Sequence, residues 1–322
     1  MQSKGGAFSP ALVLYTHGSP MMLPRQRYSL PLPGRAPLML GERTLVMGIL
    51  NVTPDSFADD GVLADPAAAI ARGLEMIAEG ADIIDVGGES SRPGAEMVPE
   101  AEELRRVLPV IEGLVAAQAL VSIDTYKAVV AREAVARGAS IVNDVSALAY
   151  DRGLAATVAE SGAGLIVMHN RGRSREMYRE AAYTSVTAEI SEELRDTMAV
   201  AIDAGVRRES IVIDPGFGFA KHARHTYTAL AELERFAALD RPILSGPSRK
   251  SFLNAALGPR PPANREWGTA AAVTASILFG AHIVRVHGVR EMADVARVAD
   301  RILAAGSIGA SSRHAEKREP DR

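Results

Sequence analysis

Eight short apolar runs, each followed by a longer segment of helical period, constrain this chain more than any other feature. The runs lie at 44–50, 82–86, 120–124, 140–144, 164–169, 210–214, 242–245 and 283–287. The helical segments lie at 65–79, 100–117, 127–137, 152–160, 186–204, 224–238, 266–279 and 290–304. Several of these end at glycine (Gly80, Gly138, Gly162, Gly205, Gly280), the residue that most easily takes the left-handed turn closing a helix. Runs such as Ile83-Ile84 and Ile211-Val212-Ile213 are apolar on both faces, as strands are when helices cover both sides of a parallel sheet. Eight such units predict an α/β fold closed as a (β/α)8 TIM barrel, with an open doubly wound sheet as the competing topology. Ahead of the first unit, residues 28–40 read as a β-hairpin turning at Pro33-Gly34, placed to plug the bottom of the barrel.

Composition removes several function classes. Among 322 residues, 36 basic and 39 acidic side chains give a net charge of −3, which leaves no basic footprint for nucleic acid or an anionic membrane. There is no cysteine, so disulfides, thiolate catalysis and Cys-ligated metals are excluded. No apolar stretch reaches the 18 or so residues of a membrane span, and the run at 11–15 is too short for a secretory signal. The expected organisation is a flexible extension at 1–26, one barrel domain at 27–306 and a fraying tail at 307–322, in a cytoplasmic protein.

Polar residues fall where an ordinary core would reject them. The strand candidates end in Asn51, in Asp85 with Glu89, Ser91 and Arg92 beyond it, in Asp124, in Asn143 and Asp144, in His169 and in Asp214. The last two end in Ser248-Arg249-Lys250 and in Arg285 with His287. One such residue is ordinarily a helix cap, but a repeat at eight strand ends points to a site on the C-terminal rim of a barrel. Arg92, Arg285, His287 and the turns Gly87-Gly88 and Gly246-Pro247-Ser248 offer cations and free N–H groups suited to a phosphate or diphosphate. Asp124, Asn143, Asp214 and Lys250 offer donors and acceptors on short stems, suited to the edge of a nitrogen-rich heterocycle.

Other chemistries are open to some of these residues. Lys250 could form an imine, and His169, Asp85 and Asp214 could hold a metal. The histidines are scattered, however, and Mg2+ bridging a diphosphate to one protein oxygen fits the residue types better than a Zn site. His222 and His225, flanking Lys221, read as solvated loop histidines.

Taken as ordered motifs, these segments resemble the dihydropteroate synthases. Met47-Gly-Ile-Leu-Asn-Val-Thr-Pro-Asp-Ser-Phe57 is similar to the first signature of that family, and Asp85-Val-Gly-Gly-Glu-Ser-Ser-Arg-Pro-Gly94 to the second. The resemblance continues through Ser122-Ile-Asp-Thr125, Ile141-Val-Asn-Asp144, Asp214-Pro-Gly-Phe-Gly-Phe219, Ser248-Arg-Lys-Ser251 and Arg285-Val-His287, covering roughly residues 28 to 305.

The resemblance implies a transferase of folate synthesis. It would condense a 6-hydroxymethyl-7,8-dihydropterin diphosphate with 4-aminobenzoate, giving 7,8-dihydropteroate and diphosphate, with sulfonamides competing as aminobenzoate mimics. It implies Asp124, Asn143, Met168, Asp214 and Lys250 around the pterin. Asn51, Ser91, Arg92, Arg285 and His287 would hold the diphosphate, with Asn51 beside Mg2+. Phe57, Arg92, Pro93, Phe219 and Ser251 would surround the aminobenzoate. Arg92, Asp124, Asp214 and Lys250 are the expected catalytic residues, 53–61 and 89–98 the expected mobile loops, and a homodimer the expected assembly.

The chain departs from the family pattern at several positions. Ser91 stands where Thr is frequent, Tyr126-Lys127-Ala128 where Ser-Lys-Pro is common, and Gly288 where Asp is frequent. Ala220 replaces a common Gly, which predicts a loop that avoids positive φ there. Two other functions compete: transfer of methyl from methyltetrahydrofolate to a corrinoid protein, and a non-catalytic pterin-binding paralogue. The first has no use for Arg285, His287 and the Ser-Arg-Pro loop; the second would bind pterin without turnover.

Overall fold

The computed structural model describes residues 25–53, 65–90, 97–172 and 181–316. An antiparallel hairpin, β1 (Tyr28–Leu30) and β2 (Leu38–Leu40), comes first, with Tyr28 opposite Leu40. Eight parallel strands follow: β3 (Leu45–Asn51), β4 (Ile83–Gly87), β5 (Val121–Asp124), β6 (Ile141–Asp144), β7 (Gly164–Met168), β8 (Ile211–Asp214), β9 (Leu244–Ser245) and β10 (Ile283–Val286). They pair in the order β8-β7-β6-β5-β4-β3-β10-β9. A parallel bridge between Ile213 and Ile243 joins the two ends, so the sheet closes into a barrel and the open-sheet alternative falls.

Helices alternate with these strands: α1 (Pro66–Glu79), α2 (Glu100–Ala116), α3 (Ala128–Ala136), α4 (Leu154–Ser161), α5 (Val186–Asp203), α6 (Ala223–Ala231), α7 (Asn254–Leu257), α8 (Glu266–Leu278) and α9 (Val289–Glu316). Their limits follow local chemistry. In α1 the Asp65 side chain accepts from the Ala67 N–H at 3.0 Å, Pro66 supplies a preset first turn, and Gly80 ends the helix in the left-handed region. Its buried residues Ala69, Gly73 and Met76 recur at helical spacing against the sheet. The segment expected as one helix at 224–238 is α6 followed by a 3-10 turn at Leu233–Leu239. The last helix runs on to Glu316 rather than ending at 304. At the other end Arg25 is already docked, donating to Thr44 Oγ1 at 2.6 Å and the Ala281 carbonyl at 2.9 Å and pairing with Asp300.

Strand alternation divides the core in two. Val46, Leu50, Ile84 and Val86 face outward and pack with helix residues such as Ile111, Leu114 and Val289. Leu45, Met47, Ile83, Ile141, Ile166, Val212, Leu244 and Ile283 face inward and fill the lower bore, where Leu30 and Leu40 of the hairpin close it from below. Each of these aliphatic side chains contributes about 1.5–3 kcal/mol by leaving water. Among the described residues no helix is long and apolar enough to cross a membrane.

Candidate active site

One pleat above the apolar layer, the inward faces of the same strands turn polar. Asp85 lies two residues beyond Ile83, Asn143 beyond Ile141, Met168 beyond Ile166, Asp214 beyond Val212, Gly246 beyond Leu244 and Arg285 beyond Ile283. The period of two therefore brings Asn143, Met168 and Asp214, three of the five expected pterin residues, to one place, the upper bore. Parallel register sets their order around it, pairing Asp124 with Asn143 and Met168 with Asp214.

Asp85 is the hub of this layer. Its Oδ2 accepts from Arg285 Nε at 2.6 Å and from Asn143 Nδ2 at 2.9 Å. Arg285 Nη2 donates in turn to Asp124 Oδ2 at 2.6 Å. Because Asn143 spends its amide on Asp85, the atom left over is its Oδ1, an acceptor with no hydrogen-bond partner among the described residues; Asp85 Oδ1 and Ser122 Oγ are in the same state. Buried acceptors without partners are costly, so this layer is built to receive a donor-rich ligand.

Opposing effects set the charges. Burial pushes the Asp124 carboxyl up to about 7, against the pull of Arg285. Burial likewise disfavours charge on Arg285, but Asp85 and Asp124 outweigh it and raise its pKa above the ordinary value. Lys250 is pushed down to about 8 by burial, with Asp214 opposing. Burial raises Asp214, and Lys250 draws it back.

Lys250 and Asp214 flank Gly246: a Cβ built there would sit 3.9 Å from Lys250 Nζ and 4.0 Å from Asp214 Oδ2. Glycine keeps that space open. The Lys250 ammonium also lies 4.4 Å from the Phe219 ring centroid, a cation–π contact that ties the loop after β8 to the loop after β9.

Above this layer lies a shelf. Ser248 Oγ and His287 Nδ1 are 2.9 Å apart, and the His287 N–H donates to Ser248 Oγ at 3.1 Å. Asn51 ends β3 beside Gly87: a Cβ on Gly87 would lie 3.5 Å from Asn51 Oδ1 and 3.5 Å from Asp124 Cβ. No group of three or more His, Asp or Glu able to hold a metal occurs among the described residues. Ser251 opens a short turn immediately after Lys250. Phe57, Ser91, Arg92 and Pro93 lie outside the described residues, as does most of each expected mobile loop.

Several rim residues do not join the bore. His169 and Asp144 follow inward-facing Met168 and Asn143, so alternation turns both away; Asp144 accepts from the backbone of Ser146 at 2.8 Å and Leu148 at 2.6 Å instead. Arg249 turns to Glu266 at 2.9 Å. Glu89 accepts from Lys127 Nζ at 2.6 Å, from Tyr126 Oη at 2.8 Å and from the Val98 N–H at 2.9 Å. Lys127, which also reaches the Val98 carbonyl at 2.6 Å and pairs with Glu103, thereby fastens together the two ends of segment 89–98.

Two further expectations are corrected. His225 is buried within α6 rather than solvated on a loop, because its ring packs against Tyr183 at 5.0 Å. Ala220 takes φ +46 rather than avoiding the left-handed region, since its carbonyl must reach the Tyr183 hydroxyl at 3.0 Å while Lys221 turns inward.

The comparisons with known proteins agree with this geometry. Residues 47–287 match the family of pterin binding enzymes. The dihydropteroate synthase of Bacillus subtilis is 43% identical over 268 residues, covering 83% of this chain and 91% of that one. A solved dihydropteroate synthase of Burkholderia cenocepacia, complexed with 7,8-dihydropteroate, superposes with a TM-score of 0.78 at 40% identity, over 86% of this chain and 97% of the other. The Xanthomonas albilineans enzyme with 4-aminobenzoic acid gives a TM-score of 0.78 at 41% identity, over 86% and 99%.

Proposed function

The chain belongs to the pterin-binding enzymes and within them to the dihydropteroate synthases, transferases of folate synthesis, and we propose how its residues divide that reaction. The observation that carries the reading is the acceptor-lined upper bore with its two cations. Asp124, the Asn143 oxygen and Asp214 meet the N–H edge of a pterin, Lys250 meets a ring acceptor, and Met168 packs on the ring.

In the reaction the amine nitrogen of 4-aminobenzoate attacks the exocyclic methylene of the pterin. The C–O bond breaks, diphosphate leaves with the electron pair, and the amine proton passes to solvent. Charge develops as cation at carbon and anion at oxygen. Asp214 is assigned to the first and Arg285, His287 and Asn51 to the second, with Ser91 and Arg92, outside the described residues, given the same role by the resemblance. An arylamine needs no strong base, and the described rim residues contain none aimed at such a position.

Asn51 offers a single hard oxygen at the mouth, which suits Mg2+ arriving with the diphosphate rather than held by a protein cage. When bound, Mg2+ would neutralise the departing charge. Phe219 and Ser251 are assigned to the aminobenzoate, and the family resemblance adds Phe57, Arg92 and Pro93, which lie outside the described residues, to the same role.

The protein acts in the cytoplasm as a homodimer. Exposed apolar side chains support the second point: Trp267 is 91% exposed, Ala271 is exposed one turn on, and Val298 and Ile302 of the neighbouring α9 are exposed as well. Release of diphosphate, followed with and without 4-aminobenzoate, tests the reaction. Strict dependence on the amine is expected, with sulfonamides competing against it. Pterin binding without release would favour the non-catalytic alternative.

A further inference from the structure

Outside the bore, against the outer faces of β7 and β8, lies a polar cluster that the proposed chemistry does not use. Lys221 is 1% exposed, although it lies in a rim motif. Its Nζ is 2.7 Å from His169 Nδ1, 3.0 Å from the Phe219 carbonyl and 3.1 Å from the Gly216 carbonyl. The segment 215–221 is thus wrapped around its own lysine. The wrapping needs an unusual backbone: Gly216, Gly218 and Ala220 all have positive φ, and a Cβ on Gly216 would come within 2.1 Å of the His169 carbonyl oxygen.

Hydrogen-bond arithmetic fixes the protons. His169 Nε2 lies 2.9 Å from Glu193 Oε2, and Arg171 holds Glu193 as an ionised carboxylate. The ring must therefore donate from Nε2, which leaves Nδ1 as an acceptor. Lys221 then faces three close acceptors and a fourth, the His169 carbonyl, at 3.5 Å, and only the ammonium form has three N–H groups to meet the close ones. Burial, with Lys250 and Arg171 adding to it, draws the Lys221 pKa well below its ordinary value, and Asp214 and Glu193 only partly oppose this, so the hydrogen-bond partners are what hold its proton.

Beyond Glu193 the contacts return to the same loop. Arg171 also bonds Glu189 at 2.9 Å and stacks 4.0 Å from the Tyr183 ring centroid, and the Tyr183 hydroxyl donates to the Ala220 carbonyl. The circuit closes around residues 219–221, and Phe219 is the one side chain of this stretch that reaches the site, through Lys250.

We propose that Glu193, His169 and Lys221 are positioning residues: acting in series from helix α5, they hold Phe219 against the aminobenzoate side of the pocket. The assignment rests on the reading of Phe219 given above. Asp214 also stands on β8, paired in register with Met168, so its position depends on the relay less than that of Phe219, which is held only by loop contacts.

Glu193 is the accessible handle, because its side chain is 37% exposed and Arg171 keeps Glu189 when it is removed. Glu193→Ala is expected to raise KM for 4-aminobenzoate about threefold to tenfold, as loss of one hydrogen bond in the series would, with kcat and the pterin KM changed by less than about twofold. Glu193→Gln, which still accepts from His169, is expected to restore the parent value. Equal rises in both KM values, an unchanged aminobenzoate KM, or a Gln variant as impaired as Ala would overturn the proposal.

A second measurement needs no turnover. At neutral pH the 15N shifts of His169 are expected to show a bare Nδ1 and a protonated Nε2. In Lys221→Met the ring, left beside Glu193, is expected to take up a second proton. A proton on Nδ1 in the parent would overturn the relay. If the parent fails to turn over 4-aminobenzoate, the functional reading falls while these shifts still decide the relay.

Discussion

The two sides of the pocket are held in place by different physics. On the side proposed for the pterin every group except Lys250 stands on a strand, and the register that pairs Asp124 with Asn143 and Met168 with Asp214 positions it before any side-chain bond forms. On the aminobenzoate side the described groups, Phe219 and Ser251, stand on segments between elements. There the chain needs a buried lysine and a left-handed alanine to fix what register fixes elsewhere. Strand-borne sites fail by unpaired charge, whereas loop-borne sites fail by drift.

The largest effect should come from the hub of the strand-borne side. Asp85→Ala leaves Arg285 with Asp124 alone and strips Asn143 of its acceptor, deep in the barrel. Breaking a buried pair in this way costs about 3–5 kcal/mol, read as a lower denaturation midpoint at unchanged m. A variant as stable as the parent would mean that register alone holds the layer. Next comes Lys250→Ala, which removes a charged donor from the pocket without touching a strand. Pterin affinity should fall about 10- to 100-fold with stability nearly unchanged, by equilibrium binding and denaturation respectively.

The sequence disclosed the strand-borne half because alternation and strand length are local properties. Eight apolar runs and the polar residues at their ends, four of which (Asp85, Asn143, Asp214, Arg285) stand two positions beyond an inner aliphatic, were readable from residue order alone. Which face each strand end presents was harder. His169 and Asp144 look like rim residues until alternation is counted from Met168 and Asn143. Asp85 was visible as one more polar strand end, but its role as hub depends on Arg285, 200 positions away in sequence. Lys127 was opaque for the same reason, since its partners Glu89, Val98 and Glu103 come from other segments, and Lys221 because it turns back onto its own loop and the distant His169. The positive φ at Ala220 reverses the expectation drawn from its side chain, because three hydrogen-bonded partners around Lys221 outweigh a strain of about 1–3 kcal/mol.

Ionisation gives a finer test of the pterin side. Asp124 must be charged to accept from the ring, so kcat/KM for the pterin substrate should rise as pH climbs through about 7. Lys250 must be protonated to donate, so the same quantity should fall as pH passes about 8. These limbs belong to the coupled site rather than to isolated residues. Lys250→Arg should move the basic limb upward and leave the acidic limb in place. A basic limb that stays put would assign it to another group.

Smaller again is Gly246→Ala. The added methyl would meet Arg285 Cβ at 3.8 Å and Lys250 Nζ at 3.9 Å, ordinary contacts, and Gly246 is not in the left-handed region. Folding should therefore be unaffected. The methyl nevertheless takes space between Lys250 and Asp214 that the pterin needs, and overpacking of about 1 kcal/mol corresponds to a severalfold rise in pterin KM. A fall in stability instead would place the closeness in the fold rather than in the site.

The least effect on turnover should follow from breaking the proposed dimer, and the reason lies in the two faces of α8. Its inner face supports the pocket: Thr269 Oγ1 accepts from the Arg249 N–H at 3.0 Å and Glu266 holds the Arg249 guanidinium, so the Ser248–Lys250 turn rests on this helix. Its outer face carries Trp267, 91% exposed. Trp267→Glu places a charge on the outer face while leaving those inner bonds intact. Sedimentation should show a monomer, with kcat within about twofold of the parent, since exposed substitutions away from buried partners change stability by only about 0.5 kcal/mol. A monomer with a strongly raised pterin KM would show that the partner subunit stiffens α8, and through it the turn that presents Lys250.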